Sequence, residues 1–110
     1  MPRPQDPLDP TEPDLDVASA IMGNRTKALV VRYLWLNGST TASELVRELG
    51  ILQGTISASM QQLEQWAVVS TDVPADRRHG RSVTYTLDRE RLQQLIDLWR
   101  AFVTDGDWGS

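Results

Sequence analysis

Residues 41–66 read TASELVRELGILQGTISASMQQLEQW, and the way this stretch divides into helices decides the fold. Thr41-Ala-Ser-Glu44 has the form of a capping box. The threonine hydroxyl accepts from the backbone N–H of Glu44, and the carboxylate reaches back to the N–H of Thr41. Leu45, Val46 and Leu49 then fall on the inner side of a short helix that Gly50 closes. After a tight turn, Ile56, Met60 and Leu63 recur at i, i+4 and i+7, which predicts the buried stripe of a second helix. Gly54, Ala58, Gln61, Gln62 and Gln65 point the other way. Two short helices across a glycine turn form a helix-turn-helix. From Leu52 to Trp66 there is no Lys, Arg or His, and Glu64 is the one charge. Any positive electrostatics for this exposed face must then come from elsewhere in the chain.

Upstream, MPRPQDPLDPTEPDLD holds five of the six prolines and few apolar residues. Such a segment buries too little surface to offset chain entropy, so 1–15 reads as a disordered acidic arm. Asp16 is placed to cap a short helix over VASAIM, ended by Gly23. A further helix spans about 24–36. From Ala28 to Leu36 only Arg32 is polar, which predicts a central helix buried nearly all round. Asn37-Gly38 stops it.

Downstream, the period changes from 3.6 to 2. Val69, Thr71 and Val73 alternate with Ser70 and Asp72, and Val83, Tyr85 and Leu87 with Ser82, Thr84 and Thr86. Two alternating runs around the loop PADRRHGR predict a β-hairpin. Asp88 can cap a last helix with Leu92, Leu95, Ile96, Trp99, Phe102 and Val103 on one stripe. The fold class is therefore mainly α with a small β-hairpin, a winged helix-turn-helix in the order α-α-α-α-β-β-α over 16–104, with a flexible tail at 105–110.

Composition sets limits. A chain of 110 residues suits one small domain. It has no Cys, which removes disulfides and thiolate metal sites, and its single His lies in the wing loop. No apolar run is long enough for a membrane span, and the expectation is a soluble cytoplasmic protein. The net charge of −4 looks wrong for a nucleic-acid binder, but it is unevenly placed. Residues 1–16 carry five acids against one base, and Asp105 and Asp107 add two more negative charges. Residues 17–104 hold ten basic and eight acidic side chains, a net of +2.

With these segments in this order, the chain resembles the ArsR-type winged-helix transcriptional regulators. The resemblance runs over about 17–103. It is carried by IMGNRTKALVVRYL for the first two helices, TASELVRELGILQGTISASMQQLE for the helix-turn-helix and GRSVTYTLD for the return strand of the wing. It implies a dimeric repressor on a palindromic operator, with the last helix, Leu92, Leu95, Ile96, Trp99, Phe102 and Val103, at the dimer interface. Half-sites of a two-fold dimer lie one helical turn apart, roughly 34–36 Å. Many relatives sense metals through cysteines or through Asp and His on the last helix. This chain has neither set there, so no metal and no cofactor are expected.

Departures from the family pattern shape the expected readout. Leu52 replaces the polar cap of the recognition helix, Ala58 a common Arg, Ser59 a common His and Ala67 a turn Gly, whereas Gln53, Thr55 and Ser57 match. Arg is the usual reader of guanine; Gln suits adenine, and Ala and Thr methyls suit thymine. Gln53, Gly54, Thr55, Ser57, Ala58 and Gln61 are therefore expected to favour A·T pairs. Arg77, Arg78, His79 and Arg81 cluster in the wing loop and are expected to neutralise phosphates. Thr40, Thr41 and Ser43 are candidate phosphate donors, with Arg25, Lys27 and Arg47 as weaker ones. The alternative is a winged-helix module for protein partners with weak or no specific DNA binding, using Gln61, Gln62, Gln65 and Trp66. An enzyme is not expected, because no motif sets a nucleophile beside His79 and no phosphate-cradling glycine loop is present.

Overall fold

The computed structural model describes residues 13–74, 77 and 82–104. Its elements are α1 (Pro13–Met22), α2 (Arg25–Asn37), β1 (Ser39–Thr41), α3 (Ala42–Leu49), α4 (Gln53–Gln65), β2 (Val69–Thr71), β3 (Thr84–Leu87) and α5 (Arg89–Val103). This is a winged helix-turn-helix.

The first helix starts earlier than expected, so the arm read over 1–15 is corrected at its end. Pro13 opens α1, where its missing N–H is no loss, and Asp14 and Asp16 in the first turn suit the positive helix end. Leu15, expected in the arm, is buried. Residues 1–12 of that arm and the tail at 105–110 lie outside the described residues. Asp14 is held by a bidentate pair with Arg91, at 2.8 and 3.0 Å, and Arg91 Nε also donates to the Trp66 carbonyl at 3.1 Å. One guanidinium thus ties α1, α5 and the end of α4. Its hydrogen bonds hold the Asp14 carboxyl below the ordinary carboxylate value.

The Asn24 side chain caps α2 through the N–H of Lys27 at 2.9 Å, and Gly38 ends it with φ 87°. The expectation that α2 is buried all round is corrected. Val30, Val31 and Leu34 are buried, but Trp35 is 38% and Leu36 66% exposed.

The predicted hairpin is part of a three-stranded sheet in the order β1-β3-β2, all antiparallel. Ser39 faces Thr86 on one side of β3, and Ser70 faces the same residue on the other. The alternation along β3 is as read: Tyr85 and Leu87 are buried and Thr86 is exposed. The core joins all five helices with β2 and β3, from Ala18 and Ile21 through Leu34, Leu45 and Met60 to Leu95, each fully buried. Removal of a side chain the size of Leu34 from water contributes about 1.5–3 kcal/mol.

Candidate nucleic-acid interface

Half of the capping box forms. The Glu44 N–H donates to Thr41 Oγ1 at 3.2 Å, but the Glu44 carboxylate does not return to Thr41. It accepts instead from the hydroxyl of Tyr33, which docks α3 on α2. That bond keeps the Tyr33 proton in place and raises its pKa above the ordinary phenol value. Gly50, at φ 66°, turns the chain, and three residues separate α3 from α4.

The two faces of α4 are those read from its period. Ile56, Ser59, Met60 and Leu63 are buried. Gln53, Gly54, Thr55, Ala58 and Gln61 are exposed and Ser57 is half-buried, so the six expected recognition residues share one solvent-facing region. No side chain caps this helix, and Leu52 at its N-cap is 79% exposed. Ala67 ends it with φ 61°, a left-handed backbone that suits glycine better.

The phosphate candidates separate. Thr40 is corrected: it is buried in β1 and its hydroxyl donates to the Thr41 carbonyl at 3.3 Å, so it does not face solvent. Thr41 already accepts the cap bond. Ser43 is exposed in the first turn of α3. In the wing, Asp72 Oδ1 accepts from the Thr84 N–H at 2.9 Å and closes the hairpin. Arg77 is exposed in a turn held by its N–H to the Pro74 carbonyl at 2.9 Å. Arg78, His79 and Arg81 lie outside the described residues.

The last-helix stripe also divides. Leu95 is fully buried in the domain's own core, which corrects its reading as contact surface; Leu92, 2% exposed, belongs to the same core. Leu92, Ile96, Trp99 and Val103 line an apolar groove of about 650 Å³ with Val31, Trp35 and Leu36 from α2. Arg32 and Arg100 also line it. Phe102 packs beside Trp99, ring centroids 6.4 Å apart. Arg89 stacks over Trp35 at 5.1 Å and bridges α5 to α2. The sequence reading missed Trp35 and Leu36 in this role, because an apolar run broken only by Arg32 carries no sign of which residues stay uncovered.

Among the described residues no group of three or more His, Cys, Asp or Glu side chains could hold a metal ion. No described helix is long and apolar enough to cross a membrane.

A helix-turn-helix with an exposed second helix and an adjoining hairpin defines the class: a winged helix-turn-helix architecture. Among solved structures, the chain is similar to an ArsR family transcriptional regulator, with a TM-score of 0.64, 20% identity, and coverage of 88% of this chain and 92% of the other. The resemblance drawn from the sequence thus extends to the fold. No family model and no curated protein matches the sequence.

Proposed function

We propose that this protein is a sequence-specific double-stranded DNA-binding transcriptional regulator, acting as a homodimeric repressor on a palindromic operator without a metal effector. One observation carries the reading: the exposed side of α4 presents Gln53, Gly54, Thr55, Ala58 and Gln61 to solvent in the position from which a helix-turn-helix enters the major groove. These side chains favour A·T pairs, with glutamine on adenine and the small groups against thymine methyls. Charge comes from the wing arginines, and Ser43 remains as a phosphate donor on α3. The similarity of fold to an ArsR family regulator supports the same reading.

The groove between α2 and α5 supports the dimeric part of this reading. Leu36, Trp35 and Val103 are 66%, 38% and 47% exposed around it, a contiguous apolar surface of the kind that a second copy covers. Selection of random duplex DNA by the purified protein, followed by sequencing and titration at two salt concentrations, tests the proposal. The expected outcome is an A·T-leaning palindrome bound with steep salt dependence. No enrichment, with weak binding lost at moderate salt, overturns it and makes the uncharged α4 face a surface for a protein partner.

A further inference from the structure

The recognition helix has no cation of its own, but α2 brings one to its side. The first turn of α2 and the N-terminal half of α4 border a polar cleft of about 360 Å³, lined by Thr26, Lys27, Gly54, Thr55, Ala58 and Gln62 among others. No carboxylate lines it. Lys27 is half-buried there, and its backbone N–H is pinned by the Asn24 cap, so the base of the side chain is fixed. Among the described residues its ammonium has no ion pair or hydrogen bond within the protein. Opposite it, a methyl group placed on Gly54 would meet nothing within 4 Å, so the approach to α4 is open.

The placement of this lysine runs against helix electrostatics. The first turn of α2 contains no acid and carries Arg25 and Lys27, where the positive end of the helix disfavours cations. A polyanion lying along α4 reverses that balance. Arg25 and Arg47 are exposed, but neither lines the cleft.

We propose that Lys27 binds a backbone phosphate of duplex DNA in this cleft, beside the bases that α4 reads, and so supplies the charge the recognition helix lacks. The proposal rests on the DNA-binding function given above. The phosphodiester oxygen takes the ammonium as a point-charge donor, with Thr26, Thr55 and Gln62 available as neutral donors in the same cleft. The contact carries no base information, so its loss weakens all sequences alike.

The test is titration of the wild-type protein, K27A, K27M and K27R with the selected operator and with a random-sequence duplex, over 0.05–0.3 M salt. The salt slope of K27A and K27M is expected to fall in magnitude by about 0.9, with affinity down about fivefold near 0.15 M on both duplexes. K27R is expected to restore most of both quantities. K27M keeps the packed stem, so its thermal melt matched to wild type separates charge from folding. Wild-type slope and affinity in K27A and K27M, with steep salt dependence in the wild type, overturn this proposal and leave the DNA-binding function standing. A wild type with no salt-dependent duplex binding overturns both.

Discussion

The outer face of α4 and the groove between α2 and α5 are both exposed, but they offer solvent opposite chemistry. The α4 face is polar, small and uncharged, with glutamines, threonine, glycine and alanine. The groove is apolar, with Trp35, Leu36, Trp99 and Val103 around it and Arg32 and Arg100 among its lining. A polar face without charge has modest attraction of its own for DNA; its side chains gain from groove contacts only when other residues hold the phosphates. An apolar groove needs no neighbouring charge, because its surface is stabilised when water leaves it. The two surfaces are therefore sensitive to different substitutions.

The largest effect is expected from charge placed in the groove. L36E combined with V103E puts carboxylates on the apolar face, and the dimer dissociation constant is expected to rise by on the order of hundredfold or more. Sedimentation across a concentration series reads this directly; unchanged association would show that the groove is not the dimer contact. The double variant R77A/R78A is expected to lower the salt slope by about 1.8 and to cost about thirtyfold in affinity near 0.15 M, on every duplex alike. Equal binding to wild type would remove the wing from the interface.

Base readout comes next in size. Q53A should relax preference at one operator position by about 1–3 kcal/mol, seen as a changed base frequency in a repeated selection. An identical consensus would take Gln53 out of base reading. A67G relieves the left-handed alanine at the end of α4, and denaturant unfolding should show a gain of about 1 kcal/mol. No gain would mean that glycine's greater freedom in the unfolded chain offsets the relief.

The smallest effect is pH-dependent and touches neither surface. Asp14 has its folded pKa depressed by Arg91, so its contribution is present above the unfolded value of 3.8 and is lost as pH falls through the lower folded value. The pair is partly exposed, which limits it to under about 1 kcal/mol. The wild type should exceed D14N in stability near pH 6, and the gap should close in acid below 3.8. A gap that persists there would assign the effect to packing.

Most of the elements were legible because their signals are local. Thr41 as a cap, Gly50 as a stop and the Ile56, Met60, Leu63 stripe act within a few residues, and the fold carries each of them. The alternation in 83–87 likewise needs only a period of 2. β1 was not legible. Ser39-Thr40-Thr41 is three polar residues before a helix, and it is a strand because β3 lies alongside to take its hydrogen bonds. Thr40 changed its reading for the same reason: a hydroxyl expected at solvent is covered once that strand is paired.

Residue type and order alone were enough for the helix-turn-helix, the hairpin, the uncharged outer face of α4 and the absence of cysteine. These depend on residue type and spacing along one helix or strand. Tertiary structure decided which members of an apolar stripe are used up in the core, with Leu95 inside, Leu92 buried but lining the groove, and Ile96, Trp99 and Val103 at the groove. It also decided that Lys27, 27 residues before Gly54 in the chain, stands beside it in one cleft. Periodicity shows which side of a helix is apolar or polar; only the packing of another helix against that side determines how much of it is covered and which charge stands next to it.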